Sequence, residues 1–234
     1  MRAVFRSRRD MLIGDMVAGR SSSRVGVFPR QERIDPVPPA PVLSTEADLV
    51  RGIVRGERWA ADALYDLLYP IVARSLQRVL HETGPDYEDL VQVTFERIMR
   101  ALVERRAESV ASLRAWASGI AAHVALDSLR SKVRERRLFR SGDVDVNPSV
   151  HVAVTPPGER QVDARLRLAV VRTVLAGMKV ELAEAVVLHD LIGHDLAETA
   201  AMTRVSLAAA QSRLVRGRKE FLRRVRLRLD RKGK

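Results

Sequence analysis

From Leu49 onward, apolar residues recur every three or four positions, the period of an α-helix with one buried face. Leu49, Val50, Ile53 and Val54 form the first such face, behind the N-cap signature Ser44-Thr45-Glu46. Gly56 interrupts the pattern, and Trp59, Ala63, Leu64, Leu67 and Leu68 begin another face. Pro70 is predicted to open a further turn, followed by Ile71, Val72, Leu76, Val79 and Leu80, with Thr83-Gly84-Pro85 as the stop. The stretch DYEDLVQVTFERIMRAL, from Asp86, buries Leu90, Val91, Phe95, Ile98 and Met99. LRAWASGIAAHVALDSLRSKVRERR, from Leu113, turns Leu113, Trp116, Ile120, Val124 and Leu129 inward.

Periodicity then stops. Gly142, Asn147-Pro148 and Pro156-Pro157-Gly158 mark a linker over 139–160. A helix resumes near Val162, with Leu166, Leu168, Val171, Val174 and Leu175 apolar, and Gly177 ends it. Another is expected over 181–189 (Leu182, Ala185, Val186, Leu188), with Leu191-Ile192-Gly193 as the turn that follows. Two helices with a tight break close the chain. The first spans about 195–202, and the second is capped by Ser206 and runs past Arg218. Strand-like alternation is scarce, so the fold class is all-α: two small helical domains joined by a flexible linker. The predicted layout is a disordered extension over 1–43, a first domain over 44–138, the linker, a second domain over 161–227, and a basic tail over 228–234. The extension rests on Ser21-Ser22-Ser23 and the proline run at 36–41, which cannot sustain a helix. Met11 and Met16 are alternative candidate starts.

Charge sharpens this division. The net charge of +12 over 234 residues is concentrated in two blocks. Residues 112–140 carry seven Lys and Arg against two acids, and residues 204–234 carry twelve against two. Residues 44–111 and 141–203 are mildly acidic. Two basic blocks on separate helical modules point to one polyanion touched in two places. The absence of cysteine excludes disulfides, zinc fingers and thiol chemistry and fits a reducing compartment. No apolar run approaches the roughly 20 residues of a membrane span, so no membrane insertion is expected.

The last two helices have the layout of a helix-turn-helix. Gln211, Ser212, Arg213 and Arg216 are candidates for base or phosphate contact, and the Ala208–Ala210 run, Ala209 included, offers methyls to thymine methyls. In the first module, Asp86, Glu88 and Asp89 occupy a helix start, where acids complement the dipole. Asp89, Gln92 and Glu96 share one polar face. The three acids also raise a metal-dependent nuclease, a reading weakened by the lack of a further paired ligand. Arg130, Lys132, Arg134, Arg136 and Arg137 exceed what a helix C-terminus needs and read as a phosphate-facing stripe. His189 and His194 do not share a ligand face and are expected to be ordinary turn and surface residues. No metal, cofactor or catalytic residue is predicted. A stand-alone DNA-binding regulator is the other alternative, although no dimerising seam is visible.

Two motifs in this order and spacing carry a resemblance. DYEDLVQVTFERI (86–98) with LRAWASGIAAHVALDSLR (113–130), and DLAETAAMTRVSLAAAQSRLVRGRKEFL (195–222), resemble regions two and four of bacterial RNA polymerase sigma factors of the extracytoplasmic function (ECF) type. The resemblance covers about 44–138 and 161–227. It implies a protein that is not an enzyme and that directs core RNA polymerase to promoters, recognising the −10 and −35 elements and helping to open the DNA. Polymerase contact, to the clamp helices of the largest subunit, falls to Asp86, Asp89, Gln92 and Glu96. The resemblance places −10 recognition on Arg105, Arg106, Arg114, Ser118, His123, Asp127, Arg130 and Lys132. It places −35 recognition on Ala209, Gln211, Ser212, Arg213 and Arg216, with Arg218 and Lys219 on phosphates. The polymerase flap, promoter DNA and an anti-sigma factor are the other implied partners, in the cytoplasm at the nucleoid. The chain departs from the family pattern at Val93, His123, Thr199 and Ala176-Gly177. Arg204 replaces the turn glycine, which predicts a remodelled turn.

Overall fold

A computed structural model describes residues 45–81, 86–104, 112–140 and 159–230. The predicted extension over 1–43, the Thr83-Gly84-Pro85 stop, Arg105, Arg106, most of the linker and the last four residues lie outside them. The described residues are helical, with no strand among them.

α1 spans Glu46–Val54. The Thr45 hydroxyl accepts from the Asp48 amide, and the Asp48 carboxylate accepts from the Thr45 amide at 3.0 Å, a reciprocal cap that fixes the start. Gly56, at φ +75, turns the chain into α2, Arg58–Leu80. Here the structure corrects the expectation at Pro70. No new helix starts there; α2 passes through the proline unbroken. A proline in a helix interior costs about 3 kcal/mol. Leu64, Leu68, Val72 and Leu76, all fully buried on the same helix, each contribute about 2 kcal/mol, which outweighs it. The proline lies on the exposed side. α2 closes at His81, whose left-handed φ of 51 makes the cap before the predicted stop is reached.

α3 (Asp86–Val103) and α4 (Leu113–Arg140) complete a four-helix bundle. Val91, Phe95, Ile98 and Leu102 face Leu113, Ala117, Val124 and Leu126 across its core. The start of α4 is tied to α1, because the Leu113 amide donates to Glu46 Oε2 at 3.0 Å.

The second bundle begins with α5 (Glu159–Gly177) and α6 (Val180–Val186). The predicted turn at Leu191-Ile192 is absent. The chain instead continues from α6 as a widened π turn over Val187–Ile192 and ends at Gly193, φ 96. π turns of this kind accommodate an extra residue inside a helix. α7 (Leu196–Thr203) and α8 (Leu207–Asp230) follow. The two bundles share one buried cluster, running from Ile53 through Leu126 and Leu188 to Leu214. Helix α4 lies at the junction, in contact with α5, α6, α7 and the π turn.

Candidate nucleic-acid interface

α8 is held so that one face is available. Its start is capped by Ser206, whose hydroxyl accepts from the Ala209 amide at 3.2 Å. Ala210, Leu214 and Gly217 are buried against the bundle. At Gly217 a Cβ would sit 2.8 Å from the Leu182 carbonyl oxygen, so only glycine lets α8 approach α6 this closely. The opposite face exposes Gln211, Ser212, Arg216 and Lys219, with Ala209 and Arg213 half-exposed at its edges. Arg216 donates Nε to the Ser212 carbonyl at 3.2 Å, which lays its guanidinium along the helix.

Arg218 is placed differently. Its Nε donates to Asp190 Oδ2 at 2.9 Å and its Nη2 to Oδ1 at 2.5 Å, a bidentate fork onto the π turn. The Arg218 hydrogen bonds hold the Asp190 carboxyl below the usual carboxylate range, against the opposing effect of burial, and His189 at 2.9 Å adds to the lowering. Arg218 therefore orients α8. The turn before α8 keeps the geometry glycine would give it. Arg204 adopts φ 54 and ψ 46, so the expected remodelling does not occur. Thr199 is fully buried because its hydroxyl donates to the Asp195 carbonyl at 2.8 Å.

On the first bundle, Asp86 and Asp89 are exposed at the start of α3. The Gln92 amide donates to Glu96 Oε1 at 3.2 Å, which joins the two as one polar face. Val93 packs against the core beside them. Among the described residues, no three His, Cys, Asp or Glu converge on a metal-holding geometry, and Asp86, Glu88 and Asp89 are no exception. Asp86 instead meets Lys132 at 3.2 Å.

The candidate residues of α4 are spread along its length. Arg114 is exposed, 3.7 Å from Glu46. Asp127 pairs with Arg97 at 3.0 Å and lies 3.8 Å from Arg130. The Nη2 of Arg130 is buried with no protein partner. Ser118 is buried: it donates to the Ala115 carbonyl and sits 2.6 Å from His194 Nε2. His123 is 3.4 Å from Glu184 of α6. Both face the second bundle rather than open solvent.

His194 corrects the expectation of an ordinary surface residue. His194 spans the two bundles, with Nδ1 3.0 Å from Glu198 and Nε2 on Ser118. The nearest signal in the sequence was its position before Asp195-Leu196-Ala197-Glu198, whose Asp and Glu form a capping box. Glu184 and Asp190 carried no such signal.

The model of sigma-70 region 2 matches residues 64–135, and that of sigma-70 region 4 matches residues 168–221. The chain belongs to the sigma-70 family. Two relatives are similar along most of their length. RNA polymerase sigma factor NccH of Alcaligenes xylosoxydans xylosoxydans is 28% identical over 178 residues, 75% of this chain and 91% of NccH. ECF RNA polymerase sigma factor SigM of Mycobacterium tuberculosis is 27% identical over 180 residues, 76% of this chain and 84% of SigM. Among solved structures, CnrH in complex with the cytosolic domain of CnrY is 23% identical, at a TM-score of 0.44, over 74% of this chain and 92% of that one.

As an ECF-type sigma factor, the chain is a transcription initiation factor that acts with core RNA polymerase and promoter DNA. The region 2 match spans α3 and most of α4, and the region 4 match ends on α8. No helix among the described residues is long and apolar enough to cross a membrane.

Proposed function

We propose that this sigma factor divides its work between the bundles. Asp86, Asp89, Gln92 and Glu96 face the clamp helices of the largest polymerase subunit, and the second bundle meets the flap. The −10 element is read and held open by α4 and the loop before it, through Arg105, Arg106, Arg114, Ser118, His123, Asp127, Arg130 and Lys132. A melted base must be captured, since unstacking costs a few kcal/mol. The −35 duplex is read by Ala209, Gln211, Ser212, Arg213 and Arg216, with Lys219 on phosphate. The observation that carries this is the outer face of α8: polar and basic side chains project from a capped helix whose other face is locked into the bundle. Arg218, held by Asp190, positions that helix. The protein works in the cytoplasm at the nucleoid, without chemistry of its own, and an anti-sigma factor restrains it.

In vitro transcription with core RNA polymerase on pooled genomic fragments tests this. New transcripts from discrete start sites are the expected result. A footprint given by the protein alone, with no polymerase-dependent transcript, would favour a stand-alone regulator. A cell pull-down that recovers only polymerase subunits under every condition would remove the anti-sigma factor.

A further inference from the structure

Helix α8 outlasts the bundle it belongs to. The region 4 match ends at residue 221, and α8 continues to Asp230. The root of this extension is tied down. Arg224 donates to the Gly177 carbonyl and pairs with Glu220 at 2.6 Å, while Phe221 and Val225 pack against the core. From 226 to 230 every residue is exposed. Exposure here does not follow polarity, since Leu222 is 54% exposed and Leu229 47%. At about 100° per residue, Phe221, Leu222, Val225 and Leu229 fall in one stripe about 100° wide, and Arg223, Arg226 and Arg228 fall to either side of it. The segment 222–230 carries four arginines against one acid, and the sequence over 231–234 adds three further cations.

Apolar stripe and cations together narrow the choice of partner. Duplex DNA takes up arginines through its phosphates but leaves an exposed leucine without a contact. A partner helix needs a row of knobs three and four residues apart. Leu222 and Leu229 are seven apart, and Val225 between them leans on the chain's own core. An anionic bilayer accepts both features: acyl chains receive the apolar side of a helix lying in the interface, and headgroup phosphates meet the cations along its edges. We propose that the extension of α8, Leu222–Asp230, is a docking surface for an anionic lipid bilayer, bound peripherally with the helix parallel to the membrane. The proposed −35 contacts all precede Glu220, so this surface is independent of them.

Leu227 supplies the control. It is 50% exposed but lies on the basic side of the helix, about 140° from Leu222. The full-length protein is sedimented with vesicles of phosphatidylglycerol and phosphatidylcholine, and with phosphatidylcholine alone. It is expected to bind the anionic vesicles and not the neutral ones. Leu222→Ser, Leu229→Ser should weaken that binding about tenfold or more, whereas Leu227→Ser should leave it within about twofold. A double variant that binds like wild type would reduce the contact to charge alone and overturn the proposal, as would equal losses in both variants. The absence of cysteine allows a second reading that does not depend on these variants. Leu229→Cys, labelled with an environment-sensitive fluorophore, should shift its emission to the blue on anionic vesicles and not on duplex DNA at matched phosphate. No shift on vesicles overturns the proposal, and an equal shift on DNA overturns it in favour of nucleic acid.

Discussion

Arg204 ends α7 in the left-handed region that glycine occupies without strain. The Val205 amide reaches back to the Ala200 carbonyl at 3.0 Å, as in a Schellman cap, so the cap is complete and the cost falls on the arginine backbone. Left-handed backbone costs a non-glycine residue about 1–2 kcal/mol, part of which glycine returns through its freer unfolded chain. Arg204→Gly should therefore stabilise the protein by about 0.5–1 kcal/mol in urea unfolding, while Arg204→Ala, equally strained, should change little. Asp190 gives a second residue-scale expectation. Its folded carboxyl is held below the ordinary 3.8 by the Arg218 fork. A lowered acid contributes stability above its unfolded value and loses it as pH falls through the folded one. Asp190→Asn should thus be less stable than wild type at neutral pH. The gap should close below about pH 4 in unfolding curves taken across pH, and a gap independent of pH would remove the ion pair as its cause.

At the scale of elements, α8 depends on one close approach. Alanine is a better helix former than glycine by about 1 kcal/mol, so propensity alone would favour Gly217→Ala. The added Cβ would lie 2.8 Å from both the Leu182 carbonyl oxygen and Val186 Cγ2. The first of these is backbone and cannot step aside. Overpacking typically costs about 1–3 kcal/mol, so Gly217→Ala should destabilise the protein by about 1–2 kcal/mol net and lower its thermal midpoint. This difference between local and packed information also explains what the sequence could reveal. The helices were legible because burial of Leu64, Leu68, Val72 and Leu76 follows a local period, as do Leu182, Ala185 and Val186. The caps at Thr45, Ser206 and Asp195 depend on neighbours three residues away. The unbroken helix at Pro70 and the π turn at Val187–Ile192 depend on what packs over them, which no local pattern states. The same holds for the site. The outer face of α8 follows from spacing, whereas the meeting of Arg218 with Asp190, 28 residues earlier, leaves no local sign in the sequence. The Ser118–His194 contact spans 76 residues and was equally invisible.

At the scale of the whole molecule, two basic segments sit on α4 and α8 within one closed assembly, and the charges on them differ in what they can do. Lys132 and Arg130 are engaged with Asp86 and Asp127, and Arg218 with Asp190. Lys219, like Gln211 and Ser212, is exposed on the outer face of α8, the face proposed to meet the −35 duplex. A side chain that neutralises one phosphate releases condensed counterions, so its removal weakens binding to every sequence alike and lowers the salt slope by about one. A side chain that reads a base edge leaves the slope alone and changes discrimination at one position by about 1–3 kcal/mol. Promoter binding by the polymerase complex, titrated from low to moderate salt, should therefore separate the two. Lys219→Ala should lower the salt slope by about one with no change in preferred −35 sequence, whereas Gln211→Ala should keep the wild-type slope and relax preference at one base pair. Arg218→Ala should follow neither pattern, because its guanidinium is spent on Asp190. It should weaken binding at all sequences in step with a loss of folding stability, with the slope retained, and a lowered slope without lost stability would return Arg218 to the phosphates.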